Sequence, residues 1–97
     1  YANMPIMQEL INTFVQNMPK TTAELKRALE TQDMALLNRI GHQLKGAGGS
    51  YGFPDITTAG LQLELLATET ADSQELETAV ANLVQICNRA QPTQVDS

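Results

Sequence analysis

The sequence has few of the residues that disulfide and metal chemistry require. It contains one cysteine and one histidine in 97 residues. Cys87 falls on an apolar helical stripe, so we expect a reduced core residue rather than a reactive thiol or a disulfide. His42 has no second histidine with which to complete a metal site. We therefore expect the chain to bind no metal ion and no cofactor of its own.

Long apolar segments are missing, and basic residues are scarce. No apolar run is long enough to cross a bilayer and no secretory signal precedes the first amphipathic segment, which predicts a cytoplasmic domain without membrane contact. Six Lys and Arg against eleven Asp and Glu give a formal net charge of -5. Because this charge opposes attraction to phosphate backbones, nucleic acid is not an expected partner.

Motifs for nucleotide binding are absent from the sequence as well. There is no glycine-rich loop ending in Gly-Lys-Ser/Thr and no set of kinase motifs. We expect that the chain neither binds ATP nor phosphorylates itself. Its length is that of one domain, too short for two lobes around a deep cleft, which disfavours a conventional two-domain enzyme.

Apolar residues recur at helical spacing throughout, and no segment alternates as a strand would. The pattern predicts an all-α fold. The first helix is predicted from Pro5 to about Asn17. The second begins either at Pro19, which suits a first turn, or at a capping box of Thr21 and Glu24.

Capping residues also mark the other three helices. Asp33 is the expected N-cap of the third helix, which continues at least to Ser50. Pro54 suits the first turn of the fourth helix. Asp72 marks the start of the fifth, which runs to about Ala90. The short connections favour an antiparallel four-helix bundle of helices two to five, with the first helix covering one end.

The domain organisation follows from these helices. Residues 1–90 are predicted to form one helical domain, monomeric in isolation. Residues 91–97 contain Pro92 and little that is apolar, so a disordered tail or linker is expected there. The chain starts without a conventional initiating methionine, which favours a domain excised from a longer protein.

The most informative segment is His-Gln-Leu-Lys-Gly-Ala-Gly-Gly-Ser-Tyr-Gly at residues 42–52. It places the histidine beside a lysine and several glycines within the third helix. Each glycine in a helix interior costs about 1 kcal/mol relative to alanine. A helix that contains Gly41, Gly46, Gly48 and Gly49 is therefore expected to need bare surface.

Helical geometry predicts how the neighbouring residues surround His42. The apolar stripe of this helix lies on its other face, so the imidazole is expected to face solvent. Side chains lean toward the helix N-terminus, so Lys45 and Gly46 lie over His42, the lysine offering charge and the glycine offering room. The residues expected to meet a partner macromolecule are Asn38, Arg39, Gly46 and Gly49.

Each of these residues also has an ordinary interpretation. A lone histidine in a helical protein is usually a surface residue, a lysine is usually solvated, and a glycine is often a packing device or a cap. The glycine-rich stretch could also be a loop that ends the third helix early. The conjunction of all of them at fixed offsets from His42 favours a functional site.

Residues 42–48, followed by Tyr51-Gly52, resemble the signature of histidine-containing phosphotransfer domains, which receive and pass phosphoryl groups in bacterial phosphorelays. Leu63-Glu64 also resembles a leucine-glutamate pair in the following helix of that family. The resemblance extends over most of the chain, since the family is an antiparallel helical bundle whose active histidine projects from the middle of a long helix.

By position, the resemblance implies that His42 is the phosphoacceptor, Lys45 the cation near the phosphoryl group and Gly46 the small residue that leaves room for it. It also implies a response-regulator receiver domain as partner, with its own aspartate and Mg²⁺, and a parent protein of the hybrid sensor histidine kinase type. A neutral imidazole is a competent nucleophile near neutral pH, and phosphoryl transfer depends mainly on positioning and electrostatics.

Three other functions remain open at this point. The chain could be the phosphorylated domain of a chemotaxis-type kinase, taking its phosphoryl group directly from an ATP-bound histidine kinase domain. It could be a helical docking module in which His42 is incidental. It could also be a small hydrolase with His42 as general base, although no serine or cysteine nucleophile with an orienting acid is apparent.

Overall fold

The computed structural model describes residues 5–68 and 72–89, and this part of the chain contains five α-helices and no strand. The all-α prediction is confirmed. The predicted tail at residues 91–97 lies outside the described residues. The helices are α1 (Pro5–Gln16), α2 (Met18–Glu30), α3 (Met34–Tyr51), α4 (Pro54–Leu66) and α5 (Ser73–Arg89).

Three predicted helix starts agree with the structure. The Asp33 side chain accepts a hydrogen bond from the Leu36 N–H at 3.1 Å and caps α3. Pro54 is the first residue of α4. Asp72 precedes α5, and its carboxylate accepts a hydrogen bond from the Gln74 N–H at 2.8 Å. Short polar side chains and proline therefore define these boundaries as their chemistry predicts.

The start of α2 agrees with the prediction that Pro19 lies in the first turn, and the capping-box alternative is wrong. The helix begins at Met18, so Thr21 and Glu24 lie inside it rather than in a capping box. Pro19 lies in the first turn, where a backbone N–H has no acceptor within the helix, so the lack of an N–H in proline costs no hydrogen bond. The carbonyl of Asn17 already accepts the Thr21 N–H at 3.0 Å, which shows why the chain is helical ahead of the predicted cap.

The packing order of the helices produces the bundle. α3 packs on α2 and α4, and α5 packs on α2 and α4, which closes a ring of four helices joined by short connections. α1 lies against α2 and α3. Its Phe14 ring lies 5.3 Å from the Tyr51 ring and 5.6 Å from the Phe53 ring, centroid to centroid. The first helix therefore covers the end of the bundle where α3 passes into α4.

The core is apolar and is drawn from the inward faces of the four bundle helices. Each large side chain removed from water there contributes about 1.5–3 kcal/mol to folding. Burial raises the pKa of the Cys87 thiol to about 11, so this group stays neutral, as expected of a core cysteine. The largest of the fully buried side chains are Leu25, Leu37, Ile56, Leu63, Leu76, Leu83 and Cys87.

α3 and α4 approach so closely that their backbones touch. A Cβ atom added to Gly41 would lie 2.8 Å from both the Glu64 nitrogen and the Gly60 oxygen. One added to Gly60 would lie 2.8 Å from the Gly41 oxygen. Only glycine fits at this crossing, and the contact brings the backbone at Glu64 directly against α3.

The remaining glycines of α3 divide into two kinds. Gly48 is buried, and a Cβ there would lie 2.6 Å from Thr57 Oγ1 and 2.8 Å from the Thr57 nitrogen. Gly46 and Gly49 are exposed, and a Cβ on Gly46 would meet nothing within 4 Å. The interpretation of all four glycines as bare surface is therefore wrong for Gly41 and Gly48, which permit helix packing instead.

Candidate functional site: an exposed histidine held by a carboxylate

The α-helix continues through the whole glycine-rich segment. α3 extends to Tyr51 and ends at Gly52, whose φ of 83° is the left-handed conformation that glycine adopts easily. The alternative of an early loop is thus wrong. His42 lies in the middle of α3, and 65% of its side chain is exposed. The predicted solvent-facing orientation is confirmed.

The imidazole is anchored to the neighbouring helix. His42 Nδ1 lies 3.0 Å from Glu64 Oε2. An ionised carboxylate can only accept a hydrogen bond, so in the neutral ring Nδ1 carries the proton and donates it. The lone pair then resides on Nε2, which has no hydrogen-bond partner among the described residues. The contact fixes the tautomer and the direction of the ring at the same time.

The same carboxylate also binds a cation. Lys45 Nζ lies 3.0 Å from Glu64 Oε1, an oxygen that is itself shielded from solvent. The ammonium group holds the pKa of the Glu64 carboxyl below its ordinary value, and the hydrogen bond from His42 acts in the same direction. Partial burial of the carboxyl opposes these effects. Glu64 is therefore ionised near neutral pH and holds both side chains.

The other predicted site residues are distributed around this centre. Gly46 and Gly49 are exposed on α3, and Arg39 is exposed one turn before His42. Asn38 is half-buried, and its Nδ2 atom donates a hydrogen bond to the backbone oxygen of Glu64 at 2.8 Å. The structure thus brings His42, Lys45 and Asn38 together through Glu64, while Arg39 and the two glycines form the open surface beside them.

Glu64 is the site residue to which the sequence analysis gave no role, although it was noted in the Leu63-Glu64 pair. A signal for its role was present. His42 and Glu64 are equally far along the chain from Phe53, which precedes the first residue of α4. In an antiparallel helical hairpin, residues equally distant from the turn lie side by side. An acidic residue at that position can reach the histidine.

The chemical capacity of this site is narrow. No group of three or more His, Cys, Asp or Glu side chains among the described residues is arranged to hold a metal ion. No serine or cysteine of the described chain is hydrogen-bonded to His42. What remains is an exposed, oriented imidazole with a carboxylate behind Nδ1, which suits attack by Nε2 on an electrophile that another molecule delivers.

None of the described helices combines the length and the apolar character that a membrane-spanning segment needs.

The fold and the site define a class of protein: an antiparallel helical bundle that presents one carboxylate-anchored histidine on its surface. A protein-family model described as Hpt domain matches residues 9–92. The match covers most of the chain, which therefore belongs to the Hpt domain family and is a histidine phosphotransfer domain of the kind found in phosphorelays. Comparison with curated proteins and with solved structures gave no match.

Proposed function

We propose that this chain is a phosphotransfer module of a two-component phosphorelay, in which His42 exchanges a phosphoryl group with the aspartate of a receiver domain. The observation that carries the proposal is the 3.0 Å contact between His42 Nδ1 and Glu64 Oε2 on an exposed helix face. It leaves Nε2 available to a partner. We place the module in the cytoplasm, as a part of a hybrid sensor histidine kinase.

The transfer step follows from this tautomer. The Nε2 lone pair of His42 attacks the phosphorus atom of the receiver's aspartyl phosphate. The N–P bond forms while the P–O bond to the aspartate breaks, and that electron pair leaves with the aspartate carboxylate. Nδ1 keeps its proton throughout, so the phosphorylated ring is positively charged. The Glu64 carboxylate faces that charge and favours the product. Donation to a receiver is the same step reversed.

Lys45 supplies positive charge on the histidine side of the transfer. Its ammonium group is held 3.0 Å from Glu64 Oε1, beside the ring that accepts the phosphoryl group. The transition state spreads negative charge over the phosphoryl oxygens, and cations nearby stabilise it. A Mg²⁺ ion bound by the receiver would supply the remaining positive charge.

Access to the ring depends on the open surface of α3. A Cβ on Gly46 would have open space around it, and Gly49 one turn further on is exposed too. A convex helix face without side chains lets the rim of a receiver's active site approach closely. Asn38 and Arg39 border the same face, and we assign Arg39, with the two glycines, to partner docking. The amide of Asn38 is bonded to the backbone oxygen of Glu64 instead.

The test is phosphoryl transfer from isotopically labelled, phosphorylated receiver domains to this chain in the presence of Mg²⁺. Wild type should acquire an acid-labile label, as a phosphoramidate does. His42→Gln should acquire none, whereas Gln43→Ala, which changes the adjacent exposed side chain, should be labelled normally. Label that appears only with ATP and a kinase domain would identify the chemotaxis-type alternative. If neither source labels the chain, phosphotransfer is excluded and the alternative of a helical docking module is favoured.

A further inference from the structure

The C-terminal turn of α4 carries Glu64 and has few capping groups of its own. A helix leaves its last four backbone carbonyls without partners inside the helix. α4 ends at Leu66, and its C-cap is Ala67 with a φ of -79°, not a glycine in the left-handed conformation. No basic side chain lies in the last turn. The local sequence therefore does little to prevent this turn from fraying.

Two of the four carbonyls find partners in the residues that follow. The N–H of Ala67 donates to the Leu63 oxygen at 2.9 Å. The N–H of Thr68 donates to the Leu66 oxygen at 2.7 Å. Thr68 is the residue whose N–H would bond the Glu64 oxygen if the helix continued. The chain thus turns away from the helix at the point where Glu64 would receive its backbone partner.

Asn38 on α3 supplies a partner instead. Its Nδ2 atom donates to the Glu64 oxygen at 2.8 Å. The close crossing of the helices makes this short reach possible, because α3 and α4 are so near at Gly41 that a Cβ there would lie 2.8 Å from the Glu64 nitrogen. Asn38 therefore caps α4 from a neighbouring helix, at the residue whose carboxylate binds His42 Nδ1.

We infer that Asn38 is a positioning residue for the phosphotransfer site. By capping α4 at Glu64, it holds the Glu64 carboxylate beside His42 Nδ1 and so keeps the proton on Nδ1 and the lone pair on Nε2. The effect of Asn38 on the transfer rate rests on the proposed function, because the rate depends on the tautomer only if Nε2 is the atom that accepts the phosphoryl group. The Asn38 side chain acts through Glu64: it bonds to the Glu64 backbone oxygen, whereas the His42 ring bonds to the Glu64 carboxylate.

This role is distinguishable from docking, which the sequence analysis assigned to Asn38. A docking residue contributes to the affinity for a partner and leaves the free site unchanged. A positioning residue alters the free site, and it changes the rate of transfer in the assembled complex. The state of the imidazole in the absence of any partner therefore separates the two roles.

The experiment compares Asn38→Ala with Asn82→Ala in the full chain. Asn82 is an exposed asparagine on α5, a helix that packs on α2 and α4 and not on α3. The ¹⁵N chemical shifts of the neutral His42 ring report the tautomer. Hydrogen exchange of the last-turn amides of α4 reports fraying. Transfer rates as a function of receiver concentration separate affinity from maximal rate.

Asn38→Ala should shift the neutral ring toward the Nε2–H form and speed exchange in the last turn of α4. The maximal transfer rate should fall about fivefold, the rate equivalent of one hydrogen bond of average strength, with little change in the half-saturating receiver concentration. Asn82→Ala should resemble wild type in every measurement. Alanine favours helix, so α3 should remain folded.

Asn38→Leu is the second variant, because it retains most of the volume but has no donor. It should show the same tautomer shift. Wild-type tautomer and exchange in both variants would overturn the inference, and so would an effect confined to the half-saturating receiver concentration. If the wild-type chain accepts no phosphoryl group, the proposed function fails, but the tautomer and exchange data still decide the role of Asn38.

Discussion

Lys45 and Glu64 form an ion pair across the α3–α4 crossing, with Lys45 Nζ 3.0 Å from Glu64 Oε1, while the other oxygen of the same carboxylate binds His42. One acidic side chain therefore orients the nucleophile and holds the cation beside it. Because both contacts depend on Glu64, changes at this residue affect the tautomer and the charge of the site together.

Substitutions of Glu64 separate these two effects. Glu64→Gln keeps an oxygen that can accept the Nδ1 proton but removes the charge, and Glu64→Ala removes both. Transfer rates should decrease in the order wild type, Glu64→Gln, Glu64→Ala, with the alanine variant slower by about tenfold or more. Single-turnover transfer from a phosphorylated receiver measures this order. Equal rates for wild type and Glu64→Ala would mean that the carboxylate has no role in transfer.

The lowered pKa of Glu64 also predicts how stability responds to acid. A carboxyl group with a lower pKa in the folded state stabilises the fold fully above its unfolded-state value, near 4.5. That contribution is lost as the pH falls through the lower folded-state pKa, when the carboxyl becomes protonated and its contacts with Lys45 and His42 weaken. Urea unfolding as a function of pH should show the loss.

The control for this prediction compares half-buried Glu64 with exposed Glu30. Glu64→Gln should have a smaller stability loss than wild type on acidification below pH 4.5. Glu30→Gln, at an exposed position at the end of α2, should retain the wild-type dependence on pH. An identical acid profile for wild type and Glu64→Gln would contradict the assigned contacts.

Much of the fold follows from local chemistry. The N-cap at Asp33, the start of α4 at Pro54 and the exposed orientation of His42 could all be predicted, because each depends on residues within a turn or two along the chain. The roles of Gly41 and Gly48 could not, because a buried packing glycine and an exposed one look alike in sequence. Only the partner helix tells them apart.

The two kinds of glycine in α3 give opposite stability predictions. Gly46→Ala should raise the free energy of unfolding by roughly 0.5–1 kcal/mol, because alanine has the higher helix propensity and open space surrounds the new Cβ. Gly48→Ala should lower it by about 1–3 kcal/mol, because the Cβ would collide with Thr57. Urea denaturation of both variants measures the difference.

The open surface at Gly46 also predicts that a substitution there changes the rate of transfer, separately from its effect on stability. Gly46→Leu should keep α3 as stable as wild type or more so, since leucine is a better helix former than glycine. Its side chain should cover the approach to His42 and slow transfer, while Gly46→Ala should slow it less. Loss of transfer together with unfolding would contradict this account of Gly46.

Lys45 offers the last test, because its charge acts on the phosphoryl group from the histidine side only. Lys45→Ala should slow transfer by about tenfold without abolishing it, since a receiver's Mg²⁺ supplies most of the positive charge. It should also raise the pKa of Glu64 toward the ordinary value, because the ammonium group is the main cause of the present shift.

Lys26→Ala, which removes an exposed lysine from α2, is the matched control for Lys45→Ala and should transfer normally. Rapid-quench measurement of labelled protein gives the rates, and carboxyl ¹³C shifts give the Glu64 titration. If Lys45→Ala raised the Glu64 pKa but transferred at the wild-type rate, Lys45 would stabilise only the Glu64 carboxylate and would not stabilise the phosphoryl group during transfer.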